Sequence, residues 1–459
     1  MMQTDSNTTK QGSRALVIGM GQTGASCIPF LLARGYSVTA LDSRLNPPCS
    51  KQIRNDFPQV KTVVGIFDKE TISKADMIVV SPGVSLKEPT LVDALSQGKD
   101  IVGDIELFAR EVKAPVIAIT GSNGKSTVTT LVGMMCRANN MKVEVGGNIG
   151  IPVLSLLDQK DTEIFILELS SFQLETTHSL NALVATVLNI SPDHMDRYDN
   201  EDEYIRAKAR IFQGNGAMVL NRDDKLVSEM VIRDRQTFWY GLKEPDSHMM
   251  FGVTKFMGER WVTRGQKRLF RVSEIAIAGE HNIANSLAAL AIATIAGVPT
   301  EISREVIGSF HGLPHRMEVV AESGDVTWIN DSKGTNVGST VAALSGLDRP
   351  VILIAGGDGK GADFSSLGIA IDKYAKAVVL IGKDADLIKG SINSRVPVFK
   401  VSDIKHAVKK SASLSLAGDA VLLSPACASF DMYRNFEQRG DIFREAVIKF
   451  LNIRKEGFQ

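Results

Sequence analysis

Cysteine is scarce in this chain. The 459 residues include four, Cys27, Cys49, Cys136 and Cys427, far apart and without a C-x-x-C pair. That spacing excludes a disulfide framework and a zinc ribbon, and reads as four isolated thiols in a reducing compartment. Net charge is missing as well: Lys and Arg together number 52, and so do Asp and Glu. A protein that mainly grips nucleic-acid phosphates or anionic lipid carries an excess of positive charge, so no nucleic-acid partner is expected, although a local basic pocket for a small anion remains compatible with the balance. No apolar run is long enough to span a bilayer, which argues against membrane insertion. The opening stretch MMQTDSNTTKQGSR lacks an apolar segment and reads as a disordered lead-in. Internal repeats and low-complexity tracts are absent. A cytoplasmic protein is expected, and a monomer.

What remains is ordinary globular material, 44% hydrophobic and 23% charged, long enough for two to four domains. Short apolar strands alternate with helical stretches, the pattern of a parallel α/β sheet covered on both faces. A first domain is expected over residues 1–103, with strands at 15–19, 37–41, 61–64, 77–80 and 100–102. A second, 104–312, opens with the strand 115–120 and continues with strands at 164–169, 183–189 and 217–220. Its stretch 249–272 alternates enough to suggest antiparallel strands, and the alanine- and leucine-rich stretch 282–296 predicts a helix. A third, 313–459, begins with a hairpin turning at Ser323-Gly324 and has strands at 351–355, 377–381 and 420–423.

The strongest local signal is Gly121-Ser122-Asn123-Gly124-Lys125-Ser126-Thr127, between a strand and a helix. Glycines let backbone N–H groups close on phosphate oxygens, and a helix N-terminus favours the anion. Lys125 supplies a charge for β/γ phosphates, and the Ser126 hydroxyl can ligate Mg²⁺. The strict phosphate-loop pattern fails because Ile119 takes the first glycine position, so the loop is a shortened relative. ATP is the expected ligand. Glu168 ends another strand at the same sheet edge, and Asp193 and His194 follow a third. Taken singly, Glu168 reads equally well as a solvated strand-end carboxylate and His194 as a surface loop residue. Together beside a phosphate loop they suggest a metal and substrate site. Lys208, between Arg206 and Arg210 on a helical stretch 201–212, reads by itself as a charge on a solvated face.

In the first domain Gly19, Gly21 and Gly24 form G-x-G-x-x-G after a strand, and Asp42 ends the next. That motif fits a nicotinamide-dependent oxidoreductase, a plain packing turn, or a nucleotide diphosphate held without hydride chemistry; the last suits the rest of the chain best. Ser81-Pro82-Gly83 ends another strand of this domain and can line the same crevice. In the third domain Pro314-His315-Arg316, Asn330-Asp331-Ser332-Lys333, Gly356-Gly357-Asp358-Gly359-Lys360 and Ser424–Phe430 form polar loops beside strands. Arg316 and Lys333 suit phosphate or carboxylate groups.

These stretches together resemble the Mur ligases. The matching segments are GMGQTG, GDIELF, AITGSNGKSTVTTLVG, GGNIG, LELSSFQLETT, DHMDRY, GEHNIANSLAAL, GLPHRMEVV, INDSKGTNVGST, GGDGKGADF and LLSPACASFDMYRNFEQRG, spanning residues 19–440. The phosphate loop is shared across that family and with folylpolyglutamate synthases. The LPHR, NDSKGTN and SPACASFD segments point to the D-glutamate-adding branch. The resemblance implies a Rossmann-like first domain, a P-loop ATPase-like central domain with a mostly parallel sheet, and a Rossmann-like third domain. It implies amide formation: ATP phosphorylates the carboxylate of UDP-N-acetylmuramoyl-L-alanine, and the amine of D-glutamate attacks the acyl phosphate. By the same resemblance Lys125, Glu168, His194, Lys208 and Lys333 are the catalytic set. Gly121 through Thr127 with Asn282, Arg316 and Asp331 bind ATP. Gln22, Thr23, Asp42, Arg44, Ser81, Gly83, Asn148 and His194 bind the UDP substrate, and Thr335, Lys360, Ser429 and Phe430 bind D-glutamate. Ser126 and Glu168 hold one Mg²⁺, and His194 with Glu168 and a carbamylated Lys208 holds a second, since a carbamate offers the oxygens that an ammonium lacks. Gly334 and Gly361 depart from the family pattern and are expected to loosen two loops. Closure of the third domain onto the second is expected. A non-catalytic nucleotide switch is the alternative from outside enzymology.

Overall fold

The computed structural model describes residues 12–393 and 396–456. The first eleven residues of the expected lead-in lie outside that range, and Arg14 already opens the first strand.

Three sheets follow one another along the chain. The first is built from β1 (Arg14–Ile18), β2 (Ser37–Asp42), β3 (Lys61–Val64), β4 (Met77–Val80) and β5 (Asp100–Val102), in the order β3-β2-β1-β4-β5. Every neighbouring pair is parallel. The order reverses between β1 and β4, which opens a crevice beyond their C-terminal ends. Gly19 and Ser81 stand there.

The second sheet contains β6 (Val116–Thr120), β7 (Val143–Gly147), β8 (Ile164–Glu168), β9 (Val184–Val187), β10 (Ala217–Asn221), β11 (Thr237–Tyr240), β12 (Met250–Phe256), β13 (Glu259–Arg264) and β14 (Lys267–Arg271). Its order is β14-β13-β12-β11-β10-β9-β6-β8-β7. Strands β12, β13 and β14 pair antiparallel, as the alternation over 249–272 suggests, and the other neighbours are parallel. β6, β8 and β9 are buried at every position, which matches their unbroken apolar sequences. Strands β7 and β11 escape the sequence reading. β7 ends in two glycines, which cut its apolar run short, whereas the aromatic Thr237–Tyr240 of β11 does carry a strand signal.

The third sheet has β15 (Glu318–Ser323), β16 (Val326–Asn330), β17 (Val351–Gly356), β18 (Ala375–Ile381), β19 (Val398–Lys400) and β20 (Ala420–Leu423), ordered β15-β16-β20-β17-β18-β19. Only the β15–β16 hairpin is antiparallel. Its turn falls one residue later than expected, at Gly324-Asp325, because Ser323 pairs with Val326. Both turn residues have φ of +59°, the left-handed pair that matches the twist of a tight hairpin.

The first two sheets share a core. Val17 and Val79 of the first, Ile105, Leu107 and Phe108 of the helix Asp104–Glu111, and Phe165 and Leu167 of the second belong to one buried cluster. The Phe108 and Phe165 rings meet edge to face at 5.1 Å. The third sheet is sandwiched between two clusters of its own. It meets the second unit through polar side chains.

Candidate active site

The loop after β6 enters the helix Lys125–Ala138. Gly124 has φ of +82°, the left-handed conformation that favours glycine, and a Cβ there would stand 2.4 Å from Asn285 Oδ1 and force that side chain to move. The loop is tied to the neighbouring strand: Asn123 N–H donates to Asn189 Oδ1 at 2.8 Å, and Ser191 N–H donates to Ser122 Oγ at 2.9 Å. The Lys125 ammonium folds back and donates to the carbonyls of Gly121 and Ser122 at 2.8 and 2.9 Å. Burial lowers its pKa, opposed by the charges of Glu168 and Asp193. The group is therefore poised for a polyanion that would replace weak carbonyl partners.

Glu168 at the end of β8 is 1% exposed. Its solvated reading is thereby excluded. Oε1 accepts from Asn148 Nδ2 at 2.7 Å, while Oε2 is buried without a hydrogen-bond partner. An orphaned carboxylate oxygen is costly, and such oxygens in a site of cations are where a ligand or ion binds. Lys208 corrects the sequence reading most sharply. The solvated face that its spacing alone suggests does not hold: the helix Glu201–Ala209 turns this side chain inward, where it is 2% exposed and donates to the Gly121 carbonyl at 3.0 Å. Burial, reinforced by the nearby Lys125 charge, drives its pKa far below the ordinary lysine value.

His194 has a left-handed backbone, φ +59°, which aims its ring at the edge of Phe172, centroids 4.7 Å apart. Burial lowers the imidazole to about 4, so it is neutral at physiological pH and able to act as a ligand. Its neighbour Asp193 is gripped from the third unit by Lys360 Nζ and by Asn336 Nδ2, the latter at 3.1 Å. Asn336 also donates to Asn123 Oδ1 at 3.1 Å, Ser339 donates to the same oxygen at 2.6 Å, and Arg316 Nη2 donates to Ser126 Oγ at 2.9 Å. The third unit thus touches the phosphate loop directly. Sequence reasoning singled out Arg316 and Lys360 but missed Asn336 and Ser339; Asn336 caps the helix Val337–Ser345, and an N-cap asparagine carries no functional signal of its own.

Two cavities flank this centre. The first, about 700 Å³, lies at the β1/β4 crevice and is lined by Gln22, Thr23, Asp42, Arg44, Ser81 and Gly83, with Asn148 reaching in from the second unit. Asp42 is fixed there by Met20 N–H at 2.8 Å and by Arg44 Nε and Nη2 at 2.9 and 2.7 Å. Asp104 and Gln173 line its floor, and neither was foreseen. The second cavity, about 860 Å³, lies between the second and third units and gathers Asn123, Gly124, Thr127, Asn282, Arg316 and Asp331 beside Lys333. Burial lifts Asp331 to about 6, and burial lowers Lys333 to about 8, with its ammonium 3.7 Å above the Phe436 ring. Glu168 reaches the first cavity only through its hydrogen bond with Asn148. His194, Glu168 and Lys208 line neither one.

The residues expected to receive D-glutamate are gathered less tightly. The loops carrying Lys360 and Ser429 are bridged by hydrogen bonds between Asp358 and Ala428 at 3.0 and 2.8 Å. Ser429 is 2% exposed, Thr335 is half-buried, and Phe430 is 76% exposed with its ring facing solvent. Gly334 does not loosen its loop. Its N–H donates to the Asp331 carbonyl at 2.8 Å, and an added Cβ would stand 2.7 Å from Asp331 Oδ2 and Ser424 Oγ, so glycine permits a close approach.

A phosphate loop at a parallel sheet edge, a buried carboxylate among lysines, and a second nucleotide-sized crevice on a joined sheet define a nucleotide-dependent α/β enzyme. The chain belongs to the Mur ligase family and is a ligase. Residues 13–103 match the family model "Mur ligase MurD-like, N-terminal domain", 119–293 the "Mur ligase middle domain", and 315–427 the "Mur ligase, glutamate ligase domain". The UDP-N-acetylmuramoylalanine–D-glutamate ligase of Nitrosococcus oceani is 49% identical over 95% of this chain and 97% of its own. The enzyme of that name from Pseudomonas aeruginosa is 47% identical over 94% and 97%. Among solved structures, the Thermotoga maritima MurF ligase in complex with ADP superposes with a TM-score of 0.61 at 18% identity, covering 96% of each chain. A pseudomurein peptide ligase type C from Methanothermus fervidus gives a TM-score of 0.61 at 20% identity, over 96% of this chain and 100% of that one. The oxidoreductase suggested by the glycine motif in isolation gives way to the ligase.

Proposed function

We propose that this protein joins D-glutamate to the carboxylate of UDP-N-acetylmuramoyl-L-alanine, converting ATP to ADP and phosphate. The observation that carries the reading is near-full-length identity of about half to ligases of that name, in a chain whose buried centre lies between two nucleotide-sized cavities. A carboxylate oxygen is a poor leaving group. Phosphorylation turns it into phosphate, which leaves once the amine has added to the carbonyl and formed a tetrahedral intermediate. The roles divide along the chain: residues 1–103 take the UDP end, 104–312 the ATP phosphates and the reacting carboxylate, and 313–459 the rest of ATP and D-glutamate.

Gln22, Thr23, Asp42, Arg44, Ser81 and Gly83 bind the UDP group in the first cavity, and Asn148 with His194 receives the muramoyl end. Gly121–Thr127, Asn282, Arg316 and Asp331 bind ATP, and Lys125 and Lys333 stabilise charge on the transferring phosphoryl group. Lys360, Thr335, Ser429 and Phe430 receive D-glutamate. Lys360 is now paired with Asp193, so the amino acid's carboxylate would compete for a cation already at the site.

Mg²⁺ fits the donor set. The unpartnered Glu168 Oε2 and the neutral His194 ring offer lone pairs, and the Ser126 hydroxyl would offer its own on release from Arg316 Nη2, which now donates to it. Lys208 becomes one only as a carbamate, and burial holds it toward the neutral amine that reacts with carbon dioxide. When bound, the ion would neutralise negative charge on the phosphates. Charged, water-soluble substrates suit a cytoplasmic enzyme, and a monomer is part of the same proposal; among the described residues no helix is long and apolar enough to cross a membrane.

The deciding assay is phosphate release with each substrate omitted in turn. Release should require both UDP-N-acetylmuramoyl-L-alanine and D-glutamate, and neither L-glutamate nor a diamino acid should replace the latter. Hydrolysis of ATP indifferent to the amino acid would instead support the switch reading.

A further inference from the structure

Arg197 has no part in the site described above, yet its side chain spans from the second unit to the first. The guanidinium donates from Nη1 to the Pro82 carbonyl at 3.3 Å and from Nη2 to the Val84 carbonyl at 2.9 Å. The same Nη2 pairs with Glu175 Oε2 at 3.1 Å, and Cζ lies 4.5 Å from the centroid of the Phe172 ring. The side chain is only 13% exposed. Its carbonyl partners belong to the turn 81–85, all of whose residues line the first cavity. That turn follows β4 and is otherwise held by Ser81 Oγ donating to the Gly19 carbonyl at 3.0 Å and Val84 N–H donating to the Ser81 carbonyl at 2.9 Å. At the other end, Arg197 N–H donates to the His194 carbonyl at 2.9 Å, and the Phe172 ring beneath the guanidinium is the one that His194 packs on.

We propose that Arg197 is a positioning residue for the UDP substrate: it fixes the 81–85 turn and ties it to the turn that presents His194. The inference rests on the proposed function, because it needs the first cavity to hold a uridine diphosphate group. The planar guanidinium is what the geometry demands. It serves two carbonyls, a carboxylate and a ring face at once, whereas an ammonium is a compact point charge unable to span them. The exposed ion pairs of Lys87 with Asp199 and Glu203, which also link the first unit to the second, contribute little by comparison.

The test uses the full chain with Arg197→Lys and Arg197→Ala, reading steady-state constants for each substrate, the melting temperature, and binding of UDP alone by calorimetry. Losing the fork should raise the KM for UDP-N-acetylmuramoyl-L-alanine and the Kd for UDP about tenfold in both variants, the size of one lost charge-assisted hydrogen bond. The KM for ATP should stay at the wild-type value. Arg197→Lys keeps the charge beside Glu175, so it should melt close to wild type while still showing the raised KM, a separation that a purely structural role would not produce. Wild-type KM and UDP affinity in both variants would overturn the inference, as would KM values for ATP and the UDP substrate rising in step. Failure of the unmodified chain to bind UDP is a different result: it would remove the proposed function, and this inference with it.

Discussion

Replacing Glu106 with alanine should destabilise the fold by about 2–3 kcal/mol, the usual consequence of removing a buried carboxylate that accepts several charge-assisted hydrogen bonds. Glu106 is 2% exposed on the helix Asp104–Glu111, which packs into the core shared by the first two sheets. Oε2 accepts from the N–H groups of His178 and Ser179 at 2.7 and 2.9 Å, and Oε1 accepts from Ser179 Oγ and Arg110 Nε, both at 2.9 Å. Alanine removes the shared acceptor of those donors, which sit on the exposed residues His178 and Ser179 and on the partly exposed Arg110, and takes from Arg110 one of its two carboxylate partners, the other being Asp100. At roughly 2–4 °C per kcal/mol for a domain of this size, melting should fall by on the order of 5–10 °C, measured by calorimetry at pH 7.5. Glu106→Gln keeps an acceptor for the two N–H groups but sets an amide against Arg110, so about 1–2 kcal/mol is expected. The pH dependence has a definite sign. Burial raises the Glu106 pKa, but the hydrogen bonds from His178, Ser179 and Arg110 outweigh it and hold the group below its ordinary 4.5. Its stabilisation is therefore complete above that ordinary value and is lost as pH falls through the depressed one. The deficit of the alanine variant should be constant from neutral pH down to about 5 and narrow in more acid solution. Melting within about 2 °C of wild type at pH 7.5, or a deficit that widens on acidification, would refute the reasoning.

Two further predictions concern the centre. Lys125→Ala should lower turnover by at least about 10²–10³-fold, the cost of losing one preorganised charge on a phosphoryl group, with little change in melting; phosphate release reads it, and near-wild-type turnover would show that the loop does not catalyse. Lys208→Ala should lose activity and regain part of it with added formate or acetate, if a carbamate is the working group; a folded variant that shows no recovery would reject the carbamate.

The legible part of the protein was local. Apolar runs such as 164–167, ending at Glu168, and Val351–Gly356 are strands buried on both faces, and their signal lies within five or six residues. The glycine loops were legible for the same reason, since backbone conformation is decided over a few bonds. β7 was not, because its two terminal glycines leave no run to detect. The candidate site divides in the same way. The loop at Gly121 announced itself; Glu168 and His194 were ambiguous until burial was known; Lys208 pointed the wrong way.

The sequence by itself determined the α/β alternation, the phosphate loop and, through its resemblance to a family, the expected chemistry. Those depend on neighbours in the chain or on whole-length similarity. Only the tertiary structure decided that Lys208 lies buried against the Gly121 carbonyl, 87 residues away, that Glu168 keeps one oxygen without a partner, and that Arg197 reaches 115 residues back to Pro82. A side chain's ionisation and partners depend on the dielectric and charges around it. Those surroundings are assembled from distant segments, so no local pattern in the chain could have shown them.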